Sequence, residues 1–243
     1  MPTLRPFIVA TLTALCVPAA PLAQIRPDAA EVSRQIVAQT NQFRRSQGLA
    51  PTAAQPELAE AARYFANYMA RTDRYGHEAD GSQASQRARA HGYDYCMVSE
   101  NIAYQYHSGG FKTQDLARGM VEGWKNSPDH RHNMLDPDAS DTAVALAQSP
   151  RTGRWYAVQM FGRPQASRFE FRIANRSTTP LRYEVGGESF QLPPRVTRTH
   201  EQCRVETLTL RLPGEPEAVS IRPGAGERYA VERVGSRLRL TKS

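Results

Sequence analysis

His77, Glu100 and His130 are the side chains of this sequence best suited to chemistry. Two imidazoles and a carboxylate serve zinc ligation, and they serve proton transfer near neutral pH equally well. His77 stands in a turn-rich stretch with Gly76, Asp80 and Gly81, and Glu100 stands in Ser99-Glu100-Asn101-Ile102-Ala103, among small and apolar neighbours. His130 belongs to the densest motif, Trp124 to Leu135, which also holds Ser127, Pro128, Asp129, Arg131, His132 and Asn133. The three residues are far apart in sequence. Spacing alone therefore leaves two readings open: one shared site, or separate capping and hydrogen-bonding roles. Ser127 is the nearest hydroxyl in sequence to a histidine, but a nucleophile needs an activating base and an oriented partner. Ser-Pro at a helix end reads more simply as a stop, because the residue before proline is pushed out of the α region. His132 is read as facing solvent.

Four amphipathic helices are expected around these residues. The first spans 29–47, with Val32, Ile36, Thr40 and Phe43 at helical spacing and Gly48 closing it. The second spans 56–72, with Pro56 near its start and a stripe of Leu58, Ala61, Ala62, Phe65 and Met69. A short third spans 85–91 and a fourth 113–127, with Met120, Val121 and Trp124 on one face. The histidines after Pro128 are expected on a loop held by this scaffold. From Ala143 the period changes. Residues 143–148 and 155–161 form two apolar runs around a polar turn with Pro150 and Gly153, which predicts a β-hairpin. Both faces of these strands are apolar, so the sheet should be covered by helices on two sides.

Residues 164–167 read as a polar linker. Beyond it every segment is short and alternating: Phe169, Phe171 and Ile173; Leu181, Tyr183 and Val185; Leu208, Leu210 and Leu212; Tyr229 and Val231; Leu238 and Leu240. Turn residues recur between them, which predicts a small all-β sandwich-like domain over 168–243. It carries no cluster of catalytic residue types, and reads as a docking module or a structural appendage.

Residues 1–23 read as a secretory signal peptide, with Arg5, an apolar run from Phe7 to Val17, and Ala19, Ala20 and Ala23. Its apolar run is too short to span a bilayer. The expected location is therefore outside the cytoplasm, periplasmic or secreted, with the first domain over 24–163. Cys96 and Cys203 then remain. An even pair in an exported protein favours a disulfide, the alternative being two unpaired buried thiols. The formal net charge of +7 is uneven. Residues 24–166 hold 16 Lys and Arg against 15 Asp and Glu, whereas residues 167–243 hold 14 against 9. Nearly all the basic residues are arginine, suited to carboxylates and phosphates. For an exported chain the anionic partner would be a cell-wall or membrane surface rather than nucleic acid, or the charge is a solvated surface with no partner.

Gly76-His77, Ser99 to Ala103, Trp124 through Ser127-Pro128-Asp129-His130-Arg131 to Leu135, and Gln159-Met160-Phe161-Gly162 together resemble the CAP superfamily. That superfamily comprises cysteine-rich secretory proteins, antigen 5 and pathogenesis-related proteins, which share the SCP domain. The likeness is to its bacterial branch and covers about residues 31–163. It implies an α+β chain: an α-β-α sandwich followed here by the β-rich module. It also implies a cleft lined by two histidines and two glutamates. His77, Glu100 and His130 match three of these. The second glutamate's place falls on Ser127, and the family glycine before the histidine is Asp129. On this resemblance the cleft comprises His77, Glu100, Ser127, Asp129 and His130, with His77, Glu100 and His130 as ligands for a divalent metal, zinc foremost. Family members are extracellular, and several bind sterols, lipids or metal ions. The expected function is thus a non-catalytic cleft for a metal, small ligand or lipid in the cell envelope. The alternatives are a metal-assisted hydrolase or protease using the same cleft, and a structural envelope protein.

Overall fold

The computed structural model describes residues 26–243, so the expected signal peptide lies outside the described residues. The first helix, α1 (Ala29–Ser46), starts where Asp28 Oδ1 accepts hydrogen bonds from the Ala30 and Glu31 amides. It buries Val32, Ile36, Thr40 and Arg44. A two-residue strand β1 (Ala53–Ala54) leads to α2 (Pro56–Thr72), with proline at its first turn, where no amide partner is lost. Then follow α3 (Ala84–Ala90), β2 (Tyr95–Gln105), α4 (Thr113–Lys125), α5 (Pro128–Met134), β3 (Asp141–Gln148) and β4 (Trp155–Pro164).

The four strands form one sheet in the order β1-β3-β4-β2, with β4 antiparallel to both of its neighbours. Its alternation divides the core. Tyr156, Val158 and Met160 join Leu58, Phe65 and Met69 of α2 on one side. Trp155, Ala157 and Phe161 join Ile36 of α1 and Leu116, Met120 and Trp124 of α4 on the other. This is the helix-covered sheet that apolar character on both strand faces demands.

One expectation is corrected. The histidine segment is a helix, α5, not a loop. Ser127 is extended, with φ −99° and ψ 122°, so Pro128 does end α4 in the expected way. The same proline then opens α5 at the position where its missing N–H costs nothing.

A 3-10 turn, Gln165–Ser167, leads into the all-β region. Strands β5 (Phe169–Asn175), β8 (Thr197–Gln202), β11 (Arg228–Val234) and β12 (Arg237–Lys242) form a sheet in the order β12-β11-β5-β8. Strands β6 (Leu181–Val185), β7 (Glu188–Leu192), β9 (Leu208–Leu210) and β10 (Val219–Ile221) form another in the order β10-β9-β6-β7. Phe171, Ile173, Tyr183, Leu192, Leu210 and Val231 fill the space between them. A disulfide joins Cys96 to Cys203, with Cα atoms 5.7 Å apart and a sequence separation of 107. Beside it Arg204 Nη2 approaches Asp136 Oδ2 at 2.7 Å, so the β-region is tied to the first domain covalently and by an ion pair.

Candidate functional site

Strand β2 carries the site's buried acid. Glu100 pairs with Met160 of β4 midway along this edge strand, and its side chain is 2% exposed. A lone carboxylate there would carry a desolvation cost of several kcal/mol. Arg87, on the buried face of α3, offsets it: its Nη2 donates to both carboxylate oxygens, at 3.0 and 2.9 Å. The same guanidinium donates through Nη1 to Asp80 Oδ1 at 2.9 Å and through Nη2 to the His77 carbonyl at 2.9 Å. It also lies 3.6 Å from the centre of the Phe65 ring. Arg87 thus ties α3, the loop before it and β2 together from within.

His77 closes the network at the surface, with its side chain 54% exposed and Nδ1 2.9 Å from Glu100 Oε1. An ionised carboxylate only accepts, so the proton of this bond resides on Nδ1. In the neutral ring Nε2 is then left as a lone-pair donor toward solvent, the arrangement in which a carboxylate orients an imidazole ligand from behind.

His130 arrives from α5. Two asparagines seat this helix against β2: Asn101 Nδ2 donates to the His130 carbonyl at 3.1 Å, and Asn133 Nδ2 donates to the Glu100 carbonyl at 3.2 Å and to Asn101 Oδ1 at 2.9 Å. Trp124 Nε1 donates to the Ile102 carbonyl at 3.0 Å, fixing the end of α4 to the same strand. The His77 and His130 ring centres come within 6.3 Å. Burial pushes the His130 pKa down, His77 adds to the effect, and Asp129 opposes it. His130 is therefore held toward its neutral, ligand-competent form.

The structure brings His77, Glu100 and His130 together. Asp129 is exposed and acts on His130 only by its charge. Ser127 is the residue before α5; its hydroxyl makes no capping bond, and its carbonyl accepts from the Arg131 amide at 2.8 Å. His132 is exposed. Sequence reasoning missed Arg87, and named Asn101 and Asn133 only as motif residues and Asp80 only as a loop residue. An arginine in a seven-residue helix among alanines carries no mark of burial; the one available signal was Asp80, seven positions earlier. Among the described residues, no group of three or more His, Cys, Asp or Glu side chains is disposed to hold a metal ion. Glu100 gives its oxygens to Arg87 and His77, which leaves the two imidazoles as the available donors.

The family model for the cysteine-rich secretory protein family, CAP, matches residues 37–161, just over half of the chain. The chain belongs to the CAP family. Its CAP domain is 28% identical over 132 residues to the uncharacterized protein YkwD of Bacillus subtilis, a match covering 54% of this chain and 47% of that protein. The chain thus spans about half the length of this curated relative. Among solved structures, an outer surface protein of Borrelia burgdorferi superposes with a TM-score of 0.50 at 17% identity, covering 57% of this chain and 96% of that one. An extracellular SCP-domain protein of Bacillus anthracis gives a TM-score of 0.47 at 22% identity, covering 56% of this chain and 41% of that one. The Borrelia likeness bears on the fold of the CAP domain alone, and the β-region beyond residue 161 lies outside the family match.

Proposed function

We propose that this is an exported CAP-domain protein that binds a ligand at His77 and His130 without turning it over. The observation that carries this reading is the commitment of Glu100. Both of its oxygens are engaged by Arg87, and Oε1 also by His77, so this buried carboxylate serves to orient an imidazole. Export is supported by the disulfide, a bond that persists in oxidising compartments.

The ligand donors would be His77 Nε2 and a ring nitrogen of His130, two neutral imidazoles that suit zinc. A bound zinc ion would supply Lewis acidity and a water of lowered pKa, the chemistry of the hydrolase alternative. The proton acceptor there would fall to exposed Asp129, since Glu100 is held behind His77. The β-region's arginines, among them Arg182 and Arg211, which form no ion pair among the described residues, would hold the protein to an anionic envelope surface. Such attachment would weaken steeply with salt, as retention on anionic lipid vesicles would report.

The test is calorimetric titration of the whole protein with zinc. Binding is expected at neutral pH, weaker at mildly acid pH because ligation needs neutral imidazole. It should be lost in His77→Ala and His130→Ala, kept in His132→Ala, and weakened roughly tenfold or more in Glu100→Gln. Equal binding by the wild type and both alanine variants, or none at neutral pH, would remove the imidazole pair as a metal site. Turnover of peptide or ester substrates that disappears in His77→Ala would replace the binding reading with the hydrolase.

A further inference from the structure

Six large apolar or aromatic side chains are exposed among the described residues, and three of them lie on one surface beside the histidine site: Tyr75 at 47%, Tyr104 at 45% and Tyr106 at 58%. Single exposed aromatics are ordinary, but a contiguous group marks an interaction surface. Two of them are joined. The Tyr75 and Tyr104 rings meet edge to face with centres 5.0 Å apart, and both contact the buried Tyr156 ring, at 6.4 and 5.9 Å. Tyr106 lies over Gly153, where a Cβ would come within 3.3 Å of its ring. Gly153 therefore leaves room that any other residue would fill.

This surface continues into the site. Tyr75 is two residues from His77, and its hydroxyl donates to the Ile102 carbonyl at 3.2 Å, two residues along β2 from Glu100. Tyr104 shares the face of β2 that carries Glu100, about 13 Å further on at strand rise. The patch and the histidines form one strip along the strand.

Its charge is positive. The Arg154 guanidinium lies 5.0 Å from the centre of the Tyr104 ring, and Arg74 is the residue before Tyr75. Neither arginine forms an ion pair among the described residues. The nearby acid, Asp73, is already taken by Arg151 at 2.8 Å and by the Thr152 and Tyr156 hydroxyls at 2.7 and 3.2 Å. Arg154 thus borders the Tyr104 ring, Arg74 adjoins Tyr75 in sequence with its guanidinium 3.5 Å from the Tyr68 hydroxyl, and the Tyr75 hydroxyl is engaged by the Ile102 carbonyl.

We propose that this strip binds an extended acidic polysaccharide, a glycan chain bearing carboxylates, and delivers it to the His77–His130 site. Open rings offer the flat apolar contact that the C–H faces of sugar rings require, phenolic and guanidinium groups meet sugar hydroxyls, and the unpaired arginines select carboxylate substituents. A strip rather than a pit suits a chain rather than a small molecule. The proposal rests on reading the histidine site as a ligand site and names the class of its ligand.

The experiment is affinity electrophoresis of the whole protein in gels containing polygalacturonate, with uncharged dextran as control and zinc calorimetry on the same variants. Retardation is expected in polygalacturonate only. Tyr75→Ala, Tyr106→Ala and Arg154→Gln should each weaken it roughly fivefold to tenfold, the scale of an interface anchor, while zinc binding is unchanged. Lack of retardation in the wild type, equal retardation in dextran, or full retardation in all three variants would overturn the proposal. Zinc binding in the absence of any retardation would leave the histidine site standing alone. Retardation without zinc binding would uphold the glycan strip and remove the metal.

Discussion

Replacing Arg87 with methionine is the most direct probe of the site's framework. The substitution keeps much of the apolar stem against Phe65 and deletes the guanidinium. Glu100 and Asp80, with side chains 2% and 1% exposed, then lose their cation together. Breaking a buried ion pair by removing one partner costs about 3–5 kcal/mol, because the remaining charge stays buried without compensation. Two stranded carboxylates, and the His77 and Ser82 carbonyls that also lose their donor, place the expected loss at the upper end of that range. Against a typical domain stability of about 5–15 kcal/mol, this brings the CAP domain near its unfolding threshold. The readout is clean, because both tryptophans of the chain, Trp124 and Trp155, lie in the CAP domain core. Urea unfolding followed by tryptophan fluorescence therefore reports on this domain and not on the β-region. Arg87→Lys should fall between the two, since a lysine keeps the charge and loses the two-oxygen contact. In Arg87→Met/Glu100→Gln the loss should be smaller than the sum of the two single losses. An Arg87→Met protein within about 1 kcal/mol of wild type would refute the claim that this arginine neutralises the site, given the usual spread of surface substitutions.

The disulfide and one further histidine give two more predictions. Cys96→Ser/Cys203→Ser removes a link across 107 residues, for which the chain-entropy model gives about 4–5 kcal/mol; urea unfolding of the double variant in oxidising buffer at wild-type denaturant concentrations would contradict it. Burial, followed by Arg198, pushes the His200 pKa below its ordinary 6.5, so the folded state favours the neutral ring. As pH falls through 6.5 and then through the lowered folded value, the unfolded chain takes up its proton first, and stability is lost. His200→Asn should therefore flatten the fall of the β-region's calorimetric transition between neutral and mildly acid pH, and an unchanged slope would show that other groups set it.

Helix limits were legible wherever one residue type enforced them. Pro56 and the stripe behind it marked α2 to both of its ends, and Gly48, with φ +75°, marked the close of α1. The α4–α5 boundary was legible only in part, because proline forbids helix before itself while favouring a helix after itself, and the sequence does not say which effect governs. Strand β2 was invisible as a strand. It is covered on both faces, its polar residues Ser99, Glu100 and Asn101 fall together, and only pairing with β4 makes it regular. The histidines and Glu100 were found through motif resemblance. Arg87 was not, since its burial depends on the joint position of Asp80 and Glu100, which no local pattern encodes.

The register shift in β2 has a mechanical consequence. The pairing with β4 slips between Tyr95 and Met97, at Cys96, the residue bonded to Cys203. Two covalent routes therefore leave the same end of the central sheet: the main chain through Gln165–Ser167, and the disulfide. Both meet the antiparallel β2–β4 ladder, one on each strand. If the β-region holds an envelope surface while the CAP domain holds a ligand, tension between them is divided over both strands of that ladder and need not unwind the short turn. Reducing the disulfide would leave the turn as the sole covalent tether, so the compartment's redox state would set how much load the assembly bears.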